Sequence, residues 1–186
     1  MSRITRIALI AAALFAAVPA AAQDSTVVFI VRHGEKAQIP GEQDPPLSEA
    51  GQARAKALAD ALRSEGVDQI RVTLFRRTQE TAFPLANEIM VSPVIDSIGR
   101  DVEGHAKRLA EKISTEFAGQ TVLVVGHSNT IRRIVTALGG PAASDVCDRE
   151  YANLFVVVLK PGAAPRFERR SYGTPDPEGA NVCTAH

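Results

Sequence analysis

Short blocks of unbroken apolar residues alternate along most of the chain with longer stretches in which apolar residues recur every three or four positions. Thr26 to Val31 reads T-V-V-F-I-V. It is short, β-branched and continuous, as a strand buried on both faces of a parallel sheet should be. Similar blocks lie at Gln69 to Leu74, Thr121 to Val125 and Leu154 to Leu159, and Arg166 to Tyr172 alternates in the manner of an edge strand. Helical spacing relates Ala50, Ala53, Ala57, Leu58, Ala61 and Leu62, with Ser48 as the N-cap. A second helix starts near Arg77, a third spans Glu103 to Phe117 and a fourth spans Asn129 to Leu138. Glycines close the last two of these. His105 reads as a surface position on the third helix. Pro40, Gly41, Pro45 and Pro46 make a loop of the stretch from Lys36 to Leu47, while Ser92 to Asp101 shows no clear period. This order predicts an α/β fold, a three-layer α/β/α sandwich around a mostly parallel central sheet.

The first 22 residues stand apart from this pattern. Arg3 and Arg6 precede an apolar run, and Ala20-Ala21-Ala22 supplies small residues ahead of Gln23. That is the order of a secretory signal peptide. The apolar run is shorter than the roughly 20 residues that span a bilayer, so cleavage rather than anchoring is expected. The expectation is a periplasmic or secreted protein, one domain over residues 23–186, with no stable membrane anchor.

Composition narrows the options. Basic and acidic residues number 21 each and there is no Trp. A nucleic-acid partner is therefore not expected. Cys147 and Cys183 are the two cysteines. In an oxidising compartment they are expected to form one disulfide. There is no C-x-x-C and the four histidines are scattered, so neither a metal nor another cofactor is expected.

Ligands of open α/β sheets bind beyond the carboxyl ends of the strands. Arg32-His33-Gly34-Glu35 follow the first strand, Arg76-Arg77 the second, and Gly126-His127-Ser128-Asn129 the Thr121–Val125 strand. Two histidines and at least two arginines thus converge on one sheet edge. Arginine suits a phosphoryl group, being always charged and forked. A neutral imidazole is a competent nucleophile toward phosphorus. The arginines should hold His33 neutral by lowering its pKa, and His127, if protonated, would add a donor to the phosphoryl oxygens.

Arg32-His33-Gly34-Glu35 resembles the signature of the histidine phosphatase superfamily, which includes phosphoglycerate mutases and acid phosphatases. Asp44-Pro45-Pro46-Leu47-Ser48-Glu49-Ala50-Gly51 is similar to that superfamily's loop-to-helix segment. Arg77-Thr78-Gln79-Glu80-Thr81-Ala82 is similar to its second-arginine motif, and Val124 to Thr130 to its second-histidine motif. The likeness covers roughly Val27 to Leu159, with the motifs in order. It implies His33 as the nucleophile and Arg32, Arg77 and His127 as ligands of the phosphoryl oxygens. Lys36 and Asn129 would add substrate contacts. It also implies a carboxylic acid that protonates the leaving group, drawn from the region between the second arginine and the second histidine. Asp101 is the first candidate and Glu103 the second, followed by Asp96, with Glu35 possible from position alone. Lys36 departs from the small hydroxyl residue common after the Glu. Arg132 and Arg133, directly after the second-histidine motif, read as an exposed helix face or as contacts for an acidic substrate.

The expected activity is an exported, metal-independent phosphomonoesterase acting through a phosphohistidine on a small phosphorylated substrate. A mutase of the phosphoglycerate type and a phosphate-ester binding protein with little turnover are the alternatives. A serine hydrolase built on Ser128 is disfavoured, because Gly126-His127-Ser128-Asn129-Thr130 lacks the second glycine of a nucleophile elbow.

Overall fold

The computed structural model describes residues 25–183. The leader expected at residues 1–22 and His186 lie outside the described residues. The element order is β1 (Thr26–Arg32), α1 (Glu49–Leu62), β2 (Gln69–Val72), α2 (Arg76–Ile89), β3 (Val94–Ile95), α3 (Val102–Thr115), β4 (Thr121–Gly126), α4 (Ser128–Ala137), β5 (Asn153–Leu159) and β6 (Arg166–Ser171). The six strands form one sheet in the order β3-β2-β4-β1-β5-β6. β1 to β4 are mutually parallel where they pair, and β5 and β6 join antiparallel on one side.

The period-two geometry of β1 builds both halves of the core. Val28 and Ile30 face the layer of α3 and α4, with Ile113, Ile131 and Ile134. Phe29 and Val31 face the layer of α1 and α2, with Leu58, Leu62 and Leu85. All four of these strand residues are essentially inaccessible to water. Helices therefore cover both faces, and the expected α/β/α sandwich with a mostly parallel sheet is what forms.

Three local departures have physical causes. β2 ends at Val72 rather than Leu74, because the Thr73 N–H donates to Thr78 Oγ1 (3.1 Å) instead of continuing the ladder. The stretch without a clear period yields β3, two exposed residues whose pairing is reinforced by the Arg71–Asp96 ion pair at 2.6 Å. His105 is buried rather than on the surface. It precedes Ala106 on the inner side of α3, and burial there lowers its pKa.

Cys147 and Cys183 form a disulfide across 36 positions of sequence, tying the C-terminal tail to the segment before β5. Among the described residues, no helix is long and apolar enough to cross a membrane.

Candidate active site

β1 and β4 are adjacent and parallel, with Arg32 in register with Gly126. The residues that follow each strand are therefore neighbours. The His33 N–H donates to the Gly126 carbonyl at 2.9 Å, and the His33 and His127 rings meet edge to face with centroids 5.3 Å apart. β2 lies on the other side of β4, which brings Thr73 and the first turn of α2 to the same edge. There Arg77 Nη2 donates to His127 Nδ1 at 3.5 Å. The sheet order thus unites three segments that are about 40 to 50 residues apart in the chain.

The loop carrying His33 is pinned on every side. The Gly34 N–H donates to Thr81 Oγ1 (2.8 Å), which donates to the Arg77 carbonyl (2.7 Å). The Glu35 carbonyl accepts from the Ser48 N–H at 2.8 Å. The Glu35 carboxylate takes three hydrogen bonds from Arg54, the shortest 2.7 Å. Glu35 is thereby committed to an ion pair that anchors the loop to α1.

Hydrogen bonding sets the tautomers. His33 Nδ1 lies 2.7 Å from the Gly34 carbonyl, which can only accept. Nδ1 therefore carries the proton, and Nε2 presents a free lone pair. His127 is arranged the other way. Its Nδ1 accepts from Arg77, so Nε2–H donates to Thr73 Oγ1 at 3.0 Å. Thr73 in turn contacts Thr78 Oγ1 at 3.0 Å, and Thr78 donates to the Phe75 carbonyl at 2.8 Å.

Burial is the main reason that His33 is pushed down to about 3. The charges of Arg32, His127 and Arg77 act in the same direction, against the hydrogen bond to Gly34. His127 is lowered to about 4, again by burial first and by Arg77 and Arg32 next. The arginines thus act in the direction the sequence predicts, but desolvation does more.

Stability should follow these shifts. In the unfolded chain both imidazoles bind a proton below about 6.5, while the folded chain resists until about pH 3 to 4. The unfolded state therefore binds more protons across that window. Folding stability should fall as pH drops from about 6.5 toward 4, by up to about 1.4 kcal/mol per pH unit per histidine. A thermal midpoint that stays level over this range would contradict the assignment, as would a His33 ring NMR signal titrating near pH 6.5.

Arg32 and Arg77 complete the pocket. Arg32 is buried, and its Nη1 donates to the carbonyls of Cys147 (2.9 Å), Asp148 (3.0 Å) and Glu150 (3.2 Å). Its guanidinium lies 4.2 Å from the Tyr151 ring centroid. Arg77 lies 4.2 Å from the Phe75 ring centroid and donates Nη1 to Asp44 Oδ1 at 3.3 Å. The Nε–H groups of both arginines are buried without a hydrogen-bond partner. Two cationic donors buried without a partner close to the His33 ring make this a candidate anion site, since burying such groups unpaired is costly.

The other candidates sit elsewhere. Asp101 is the N-cap of α3, accepts from the Gly104 N–H at 2.8 Å and lies 3.9 Å from Arg108. Glu103 lies 3.6 Å from Arg133. Asp96 is paired with Arg71. None of these three has a contact with His33, Arg77 or His127 among the described interactions. Lys36 is exposed on a groove of about 460 Å³ that also includes Gln38, Arg149 and Tyr151 and opens beside the pocket. Asn129 is exposed in the first turn of α4. Arg132 stacks 4.9 Å from the Phe155 ring centroid, and Arg133 bonds to the Asn129 carbonyl and Asp145, so both have structural partners. Among the described residues, no group of three or more His, Cys, Asp or Glu side chains could hold a metal ion.

Four contributors escaped sequence reasoning. Asp44 holds Arg77 and also accepts from the Arg76 N–H at 2.9 Å, capping α2 from a distance. Thr73 supports His127, Phe75 flanks it edge-on at 5.2 Å, and Tyr151 lies under Arg32. Asp44 stood inside a recognised segment, and Thr73 at a strand end. Tyr151 lies in no motif, and nothing local marks it.

Residues 28–98 match the model of the histidine phosphatase superfamily (branch 1). A protein named "Probable phosphoglycerate mutase GpmB" from Salmonella paratyphi A is 28% identical over 134 residues, covering 68% of this chain and 60% of its own. Its namesake from Yersinia enterocolitica is 38% identical over 74 residues, covering 37% and 34%. The chain thus spans from about a third to three-fifths of the length of these relatives. Among solved structures, the protein histidine phosphatase SixA complexed with tungstate aligns with a TM-score of 0.62 at 21% identity, covering 78% of this chain and 96% of that one. A mycobacterial glucosyl-3-phosphoglycerate phosphatase aligns with a TM-score of 0.61 at 18% identity, covering 80% and 98%.

Proposed function

We propose that this chain, a member of the histidine phosphatase superfamily, is a phosphomonoesterase that works through a phosphohistidine on His33. The observation that carries the reading is the pair of buried, unpartnered Nε–H groups of Arg32 and Arg77, two arginines whose charges both act on the His33 ring. A phosphoryl group in the pocket would satisfy both donors. His33 Nε2 would attack phosphorus as the bond to the leaving oxygen breaks, and that oxygen would take a proton from a carboxylic acid. Water would then attack the phosphohistidine, releasing phosphate and restoring the neutral ring. Arg32 and Arg77 would stabilise the charge spread over the phosphoryl oxygens, which is the main task in such transfers, and His127, whose neutral ring has no free N–H, would join them on protonation of Nδ1. The reaction as written needs no metal or other cofactor.

Hydrolysis rather than mutase chemistry is favoured by the leader-like residues 1–22 and by the Cys147–Cys183 disulfide. Both fit a periplasmic or secreted protein, away from a cytoplasmic phosphosugar pool. The substrate would be a small phosphorylated molecule, with Lys36 and Asn129 as outer contacts.

Phosphate release from an aryl phosphate by the purified chain tests the reading, because a good leaving group reveals the nucleophile even when the acid is weak. Release no faster than that of the His33→Ala protein would sink it. Phosphate transfer between hydroxyls of a phosphoglycerate, without net release, would favour the mutase.

The leaving-group acid has its own test. Asp101 is proposed from its place in the chain, and Asp44 is the rival that touches Arg77. Replacing the acid should slow alkyl phosphates about 100-fold or more while sparing aryl phosphates. If Asp101→Asn slows both classes equally and Asp44→Asn is selective, Asp44 is the donor.

A further inference from the structure

We propose that the C-terminal tail is a working part of the phosphate site. In this reading, the Cys147–Cys183 disulfide and Asp176 are positioning residues that hold the seat of Arg32. The inference rests on Arg32 being a phosphate ligand.

Arg32 ends β1, but nothing in β1 fixes where its guanidinium points. That is decided by one irregular segment, residues 147–151. Three carbonyls of this segment take Nη1 at 2.9 to 3.2 Å, and the Tyr151 ring lies 4.2 Å from the guanidinium carbon. Backbone carbonyls are only as well placed as the loop that carries them. With Nη1 saturated in this way, the orientation of the guanidinium is set, and its buried Nε–H has no partner of its own.

The tail clamps this segment at both ends. At one end the disulfide joins Cys147, whose own carbonyl is the closest acceptor for Arg32, to Cys183. At the other, Asp176 Oδ1 accepts from the backbone N–H groups of Tyr151 (2.7 Å) and Ala152 (3.0 Å). The tail is also tied back to the pocket. Arg54 Nη1 donates to the Thr174 carbonyl at 3.0 Å, while the same guanidinium grips Glu35. A closed circuit results, running from β1 through Glu35, Arg54, the tail and the loop back to Arg32. A tail released from Cys147 would leave the carbonyl seat held by fewer constraints, and Arg32 would lose preorganisation for the anion.

The experiment measures binding of inorganic phosphate by calorimetry, together with turnover of an aryl phosphate, in the full oxidised chain. In Cys147→Ser/Cys183→Ser, and separately in Asp176→Asn, the dissociation constant for phosphate should rise about tenfold and kcat/KM should fall by a similar factor. Near-ultraviolet circular dichroism should report a folded core in both. In an Arg32→Ala background the same substitutions should have no further effect on phosphate affinity, which a merely structural role would not predict. Asp176→Asn keeps the disulfide and serves if the double serine variant does not fold. Unchanged phosphate affinity in the folded variants would overturn the strap. So would the same loss with Arg32 absent. Phosphate binding by the unaltered chain without turnover would instead sink the phosphatase reading and leave the strap test standing.

Discussion

His33→Ala is expected to abolish turnover, with a loss of ~10⁴-fold or more, the scale seen when a covalent nucleophile is removed. Among the described residues, the imidazole that packs against His33 is not placed to substitute. The neighbouring imidazole, His127, has its Nε2–H bound to Thr73 and its Nδ1 facing Arg77, so it cannot reach phosphorus in the same line. The fold should persist, because the backbone bonds that hold the loop do not involve the ring: His33 N–H to the Gly126 carbonyl and Gly34 N–H to Thr81 Oγ1. Phosphate should still bind through Arg32 and Arg77. Brief incubation with a labelled substrate should leave acid-labile phosphate on the unaltered protein and none on the variant. Residual activity above about 1% of the starting rate would mean that another group is the nucleophile. The variant also removes one histidine that resists protonation when folded. It should therefore lose less stability than the parent as pH falls from about 6.5 toward 4.

Gly51→Ala should damage the same site from outside it. Gly51 lies in the first turn of α1, against the loop that carries His33. A Cβ there would stand 2.1 Å from the Glu35 carbonyl oxygen and 3.0 Å from its carbonyl carbon and amide nitrogen. These are backbone atoms, so no side-chain rotation relieves the clash. Gly34 meets Gly51 from the other side, where a Cβ would fall 2.9 Å from the Gly51 carbonyl. The two glycines let α1 and the loop touch backbone to backbone. Separating them would strain the Ser48–Glu35 and Arg54–Glu35 bonds. The expected cost is about 3 kcal/mol, with kcat/KM down at least about 100-fold in whatever fraction folds. Chemical denaturation measures the first and the aryl phosphate assay the second. Full activity and stability in Gly51→Ala would show that the loop can retreat without consequence.

Several features were legible in the residues themselves. The unbroken apolar blocks and the three-to-four spacing report burial on two faces or one, and that is enough to specify a mostly parallel sheet between helix layers, though not that the block forming β5 joins it antiparallel. That Arg32, His33, Arg77 and His127 would meet was legible because strand ends in such sheets point to one edge. The pairing of Cys147 with Cys183 was expected from compartment alone and is present. Other features were not local. Which imidazole nitrogen carries the proton depends on the Gly34 carbonyl for His33, and on Thr73 and Arg77 for His127. Burial, not the arginines, dominates the lowering of both histidines. Asp101 was the first candidate acid from its place in the chain, yet its carboxylate caps α3. Tyr151 and Asp44 gained roles only when the chain returned from far away. Periodicity and residue type are properties of neighbours along the chain, whereas tautomer, desolvation and the aim of a guanidinium are set by atoms that meet only after the sheet has assembled.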